Sequence, residues 1–392
     1  MNRQIQLLVE DLFDDLYDID DEKNLDTEFA DKAIEKPKKE LRKEIENLLK
    51  LKGPNVNLNK IDVSHVTDMS YLFEGLDIKN IKINKWDVSN VRDMSHMFEN
   101  CKEFNGDLSS WDVSNVRYMS HMFDNCKKFN SDLSKWNVSK VTDMSFMFER
   151  CFNFNSDLSS WDVSNVRYMH HMFDICSDFN CDLSKWDVSN VINMSFMFEY
   201  CIKFIGKGLD DWDVSKVTNM SHMFAHCNKF NGNLSKWNVS NVYDMNYMFY
   251  DCGYNFNCDL NKWNVSKVTD MSFMFERCFN FNSDLSKWDV SSVTNMESMF
   301  VFCENLKGIG LDKWNVSSVT NMSKMFEYCF NFNSNLSSWD VSNVRYMSYM
   351  FFQCEKFMGI GLENWNVRKF TGMSDMFKGC DKLKKLIPSW YK

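Results

Sequence analysis

Fourteen cysteines are the most reactive residues in this sequence, and twelve of them keep a period of 25 or 26 residues from Cys101 to Cys380. All 13 Trp keep the same period, from Trp86 to Trp390, and with each Trp counted as zero the recurring cysteines stand at +15. Thiols one repeat apart could close disulfides or share a soft metal ion. No C-x-x-C spacing occurs, only His226 adjoins a column cysteine, and the earliest unit has Leu76 in the same place. The column is therefore expected to be buried and reduced, each thiol serving as a small hydrophobe.

Position +10 carries a second column: Tyr71, His96, His121, Phe146, His171, Phe196, His222, Tyr247, Phe273 and Tyr349. Aromatic side chains in an outward row make a candidate binding surface, and packing between neighbouring repeats is the competing explanation. The four histidines are scattered and lack carboxylate or Cys partners at fixed offsets, so no metal site is expected. Toward the carboxy end Val301, Phe302, Tyr328, Tyr349 and Phe352 add outward apolar residues, the preferred candidate contact patch. A third column, Asp or Asn at +1, exchanges freely between the two residues. That exchange favours local backbone hydrogen bonding over charge.

No catalytic site is expected. An active site needs a unique constellation of groups, whereas the polar residues that stand out here recur with the repeat. No Gly-rich phosphate loop is present. Asp18-Ile19-Asp20-Asp21-Glu22 lacks the spacing and central Gly of a calcium loop and is expected to be a solvated linker. No cofactor is expected. The formal charge of −10 disfavours non-specific nucleic-acid binding and anionic membrane surfaces. No apolar run approaches membrane-spanning length, and the amino terminus lacks the apolar centre of a signal peptide. A cytoplasmic location is the expectation.

The elements that position these columns follow from one unit, WDVSNVRYMSHMFDNCKKFNSDLSK from Trp111. Apolar residues recur at +2, +5, +8, +11, +12, +15, +18 and +22. Leu, Trp and Val at −3, 0 and +2 suggest a short strand, and the spacing of +5, +8, +12 and +15 suggests a two-turn helix. Ser at +3, or the Thr/Asp pair at +6 and +7, supplies a candidate amino cap. Neither element is stable alone, so the units must stack. The fold expected is an α/β repeat, a leucine-rich-repeat-like curved solenoid of about 13 coils, each a short strand plus a short helix. The excess of Trp, Phe, Met and Cys then measures repeat number. Residues 135–159 and 262–286 are the same 25-residue string, which argues for duplication by whole units.

The stretch WDVSNVxxMSxMFxxCxxFNxDLSxW, as at Trp161 to Trp186, resembles the BspA-like leucine-rich repeat, also collected as a domain of unknown function in mycoplasma lipoproteins. The resemblance covers about residues 61–390. It implies an adhesion or interaction protein of the kind found on bacterial surfaces, in protists and in giant viruses. The absence here of a signal peptide, lipid-attachment cysteine or wall anchor shifts the expectation toward an intracellular or viral setting.

The expected organisation is an acidic helical segment and cap over 1–52, the repeat array over 53–382 and a terminal cap over 383–392. Ile5, Leu8, Val9, Leu12 and Leu16 mark a first amphipathic helix, which could dock a partner. Leu41, Ile45, Leu48 and Leu49 mark a second, starting after Pro37, to cover the first coil. The expected function is a non-catalytic protein-protein interaction scaffold whose protein partner is unidentified. The alternative is a structural or adhesive component of a virion or cell surface.

Overall fold

The computed structural model describes residues 31–383 and 387–391, so the first amphipathic helix lies outside the described residues. Helix α1 spans Asp31–Lys52, beginning before Pro37 and running through it. Beyond α1, the helical structure among the described residues is two three-residue 3-10 turns, Leu311–Lys313 and Leu362–Asn364. Extended pairing is reduced to isolated parallel bridges. Twelve of these join thirteen residues, all at +7, from Asp68 through Asp93 and Tyr118 to Gly372.

The expected coil of strand plus helix, and with it the leucine-rich-repeat-like curved solenoid, is therefore not what forms. Each coil is a chain of linked turns. At +7 an Asx side chain accepts from the +9 N–H, as Asp93 does from Ser95 at 2.8 Å and Asn193 from Ser195 at 3.0 Å. Such a bond would suit a helix amino cap. The next residue, +10, then turns left-handed, with φ of 58° at His96 and 55° at His121, and +14 does so again, with φ of 60° at Asn100 and 57° at Asn125. Two left-handed residues within five forbid a right-handed helix. Bonds from residue i to i−3 continue around the coil, as from Met97 N–H to Met94 O at 3.2 Å and Cys101 N–H to Phe98 O at 3.0 Å. These overlapping turns produce the three-and-four spacing that mimics a helix.

The alternation sends every second N–H along the stack. Met94, His96, Phe98 and Asn100 donate to Tyr118, Ser120, Met122 and Asp124 of the next coil at 2.8–3.0 Å. Elsewhere in the coil bonds run the other way, as from Arg117 N–H to Arg92 O at 2.8 Å and from Asn105 N–H to Lys79 O at 3.0 Å. A left-handed non-glycine residue costs roughly 1–2 kcal/mol. The hydrogen bond made by that residue's own N–H, together with the contacts of its side chain to the next coil, offsets the strain.

The Trp-Asp-Val-Ser run, expected as a strand, is a second turn of the same kind. Ser at +3 donates its N–H to the +1 side chain, from Ser64 on Asp62 at 3.0 Å to Ser342 on Asp340 at 3.0 Å. Either Asp or Asn supplies that oxygen, as at Asn137, which accepts from Ser139 at 3.1 Å. Each Trp is at most 5% exposed from Trp86 to Trp365, and most stack on the Trp of the next coil, as Trp86 on Trp111, Trp186 on Trp212 and Trp339 on Trp365. The Nε1 of each Trp donates to a carbonyl of the preceding coil, as from Trp111 to Ile83 O at 3.0 Å and Trp339 to Leu311 O at 2.8 Å. Met and Phe at +8, +11 and +12 fill the core beside it. One glycine is dictated by this geometry. Gly310, with φ of 85°, precedes the Leu311–Lys313 turn, and a Cβ there would lie 2.3 Å from Ser286 N.

Helix α1 lies on the first coil. Ile45 is fully buried, and Leu41, Leu48 and Leu49 pack against the core. Because +8 to +14 N–H groups point toward later coils, the first coil turns carbonyls toward α1. Arg42 donates to Tyr71 O and, at 2.9 Å, to Glu74 O. Lys38 donates to Asp68 Oδ2 at 2.7 Å and Ser70 Oγ at 2.8 Å. At the other end Trp390 continues the indole column, 5.9 Å from Trp365.

Candidate functional site

The twelve column cysteines have a specific task. Each Sγ donates to the carbonyl of the +12 residue one coil back, as from Cys101 to Phe73 O at 3.1 Å, Cys227 to Phe198 O at 2.9 Å and Cys380 to Phe351 O at 3.0 Å. All are buried and free. Burial pushes the Cys101 thiol up to about 12 and Cys126, Cys176 and Cys354 well above the ordinary thiol range, which suppresses the reactive thiolate.

The +10 residues meet face to face. Tyr71, His96, His121, Phe146, His171, Phe196, His222, Tyr247 and Phe273 form one unbroken pile of rings, each centroid 4.2–4.5 Å from the next. From His96 onward they are half-buried, so their faces serve coil-to-coil packing and only their edges meet solvent. The pile stops where Ser298 and Lys324 occupy +10. The patch expected toward the carboxy end is less open than its sequence suggests. Val301 is 4% exposed, Phe302 stacks on Tyr328 at 4.5 Å, and Phe352 meets Tyr328 and Tyr349 edge-on at 5.4 and 5.6 Å.

Beside the rings runs an acidic column at +13: Glu99, Asp124, Glu149, Asp174 and Glu199 in five successive coils. The histidines therefore do have carboxylate partners at a fixed offset. His96 Nδ1 lies 2.5 Å from Glu99 Oε2, His121 Nδ1 3.2 Å from Asp124 Oδ2, and His171 Nδ1 2.9 Å from Asp174 Oδ2. His222 reaches back one coil to Glu199 Oε1 at 3.2 Å. The readable signal was His-x-x-Asp/Glu, repeated at His96, His121 and His171.

Burial dominates the electrostatics here. It pushes Asp124 up to about 8, helped by Glu99, and Glu149 up to about 8, helped by Asp124 and Asp174. Glu199 rises to about 8 and Asp174 rises well above its ordinary value, both through burial first. The same desolvation pushes His171 and His222 down to about 4. Burial therefore disfavours the charged form of Asp124, Glu149, Asp174 and Glu199 and of His171 and His222 alike.

A different face, at +6 and +7, carries the exposed residues. Tyr118, Tyr168, Tyr243 and Tyr346 are 40–58% exposed, and Arg92, Arg117, Arg167 and Arg345 are exposed beside them. Tyr118, Asp143, Arg167 and Tyr168 line a shallow open depression with Thr142, Asn165 and Asn190. In the sequence +6 and +7 suggest a helix amino cap, and the candidate binding surface falls at +10. The +7 tyrosines were the missed signal.

No helix among the described residues is long and apolar enough to cross a membrane. A comparison with curated proteins gave no match. Four overlapping stretches, residues 43–148, 131–207, 202–309 and 302–392, match one family model, so nearly the whole described array is accounted for by repeated copies of a single unit. The chain belongs to the family described as Mycoplasma protein of unknown function, DUF285.

Proposed function

We propose that this protein is a non-catalytic binding scaffold whose +6/+7 face receives an extended, acidic segment of another protein. The observation that carries this reading is the exposure of Tyr118 and Tyr168 between Arg92, Arg117 and Arg167, on a backbone whose other large aromatics mostly pack coil on coil. Tyr and Arg are the residues that concentrate binding energy at protein interfaces. The guanidinium row opposes the net charge of −10 of the whole chain, which favours a carboxylate-bearing partner at this face. The parallel ladder sets side chains about 4.8 Å apart along the stack, a spacing that suits an extended peptide crossing several coils. The likeness of the unit to BspA-like interaction repeats supports the same reading. Fourteen free cysteines suit action in a reducing compartment.

The test is site-specific photo-crosslinking in the native cell with the full chain. A crosslinker at Tyr118 or Tyr168 should capture one protein whose contact segment is acidic, and Arg117→Glu with Arg167→Glu should abolish the capture. Equal capture from Tyr254, exposed outside this face, would overturn the assignment, as would capture that survives the charge reversal.

A further inference from the structure

Glu149, His171 and Asp174 each present one donor atom, and the three atoms lie within 4.8 Å of one another. Glu149 comes from one coil, and His171 and Asp174 from the next. His171 Nδ1 and Asp174 Oδ2 are 2.9 Å apart, a hydrogen bond that need widen only to roughly 3.4 Å for both atoms to bind one tetrahedral ion at about 2.1 Å. The other oxygen of the same Asp174 carboxyl, Oδ1, is buried without a hydrogen-bond partner among the described residues. Asp174 as a whole is 5% exposed, and Glu149 is 8% exposed. Buried carboxylate oxygens of this kind are ordinarily matched by a donor or a cation.

The donors are also held in place. The His171 ring lies between Phe146 at 4.4 Å and Phe196 at 4.3 Å. The backbones at 171 and 174 are tied to the neighbouring coils, His171 N–H to Ser195 O at 3.0 Å and Arg150 N–H to Asp174 O at 2.8 Å. A preorganised imidazole with two carboxylates is the donor set of a borderline divalent ion, and it differs from the all-oxygen cage preferred by calcium.

We propose that Glu149, His171 and Asp174 bind one divalent transition-metal ion of the zinc class, with its remaining positions filled by solvent. The ion would link two adjacent coils at the middle of the acidic column. The thiol column takes no part, because its sulfurs already donate to carbonyls in the core.

The full chain, stripped with chelator and desalted, is titrated with Zn2+ by calorimetry and with Co2+ by absorption. His171→Phe and Asp174→Ala should each remove one equivalent of bound ion and its thermal stabilisation. Phe146 and Ala225 already occupy the same column positions in other coils, so both variants should retain the wild-type tryptophan emission and circular dichroism. Glu276→Gln, in the identical string elsewhere, should leave the titration unchanged. Absence of Zn2+ binding would overturn the proposal, as would unaltered stoichiometry and affinity in both variants. A cobalt spectrum dominated by thiolate charge transfer would overturn it too, by placing the ion on cysteine.

Discussion

Residues 135–159 and 262–286 are the same string, yet they do not occupy the same environment. In the first copy Phe146 is stacked on both sides, by His121 at 4.2 Å and His171 at 4.4 Å, and Glu149 lies buried between Asp124 and Asp174. In the second copy Phe273 stacks on Tyr247 at 4.3 Å, Ser298 follows it in the column, and Glu276 is half-buried opposite Val301 and Tyr250. Arg150 approaches Glu149 at 3.7 Å and Arg277 approaches Glu276 at 4.0 Å, but Arg277 also lies over the Phe302 ring at 5.9 Å. A coil therefore determines its own core, and its neighbours determine the chemistry of its outer columns.

The strongest challenge to that division is to cut the core in both copies. Trp136→Ala and Trp263→Ala should each cost about 3–5 kcal/mol, equally, since both indoles are nearly fully buried and hydrogen-bonded. Denaturant melts together with hydrogen exchange would show it, and a large inequality would mean that coil identity reaches into the core.

The next effect is pH-dependent. Burial raises Glu149 to about 8 and Glu276 to about 7, from an ordinary 4.5. A raised carboxyl contributes stability below its unfolded value and loses it as pH rises through the folded one. The neutral histidines His171 and His222 give the opposite slope, but only between about 4 and 6.5. Metal-free protein should therefore lose stability between pH 6.5 and 8. Glu149→Gln should relieve more of that loss than Glu276→Gln, measured as the melting temperature across this range. Glu149 faces Asp124, Asp174, His171 and Arg150, whereas Glu276 faces Arg277, Lys324, Glu327 and Asp251.

Smaller and again equal are the thiol bonds. Cys151→Ala and Cys278→Ala each remove one donor to a Phe carbonyl, and each should cost about 1 kcal/mol in chemical denaturation. The smallest difference is at the arginines. Arg277→Gln should lose about 0.5 kcal/mol through its contact with Phe302, a contact that Arg150 has no counterpart for at Ile175. A double-mutant cycle with Phe302→Leu isolates it.

The core was legible in the sequence because burial acts on residue type. Trp, Met, Phe and Cys each keep one phase, and Leu76 at a cysteine position already spoke for packing. The turn geometry was not legible from apolar spacing, since linked i to i−3 turns and a helix place side chains inward at similar intervals. A clue stood at +14, where Gly75, Asn100, Asn125 and Gly379 are residue types that tolerate left-handed backbone. The candidate site escaped for a different reason. His171 and Asp174 belong to two columns, and their pairing emerges only when both columns are read across the same turn.

The polarity of the ladder between +8 and +14 has an evolutionary consequence. Between +8 and +14 every coil has unlike faces, N–H groups toward later coils and carbonyls toward earlier ones, so any coil fits behind any other in the orientation that tandem duplication preserves. Copying a unit lengthens the molecule without requiring a new terminus, because Arg42 and Lys38 of α1 still meet the same first coil. Length is thereby free to change while the fold stays fixed. A copied unit can acquire a new role simply by landing between different neighbours.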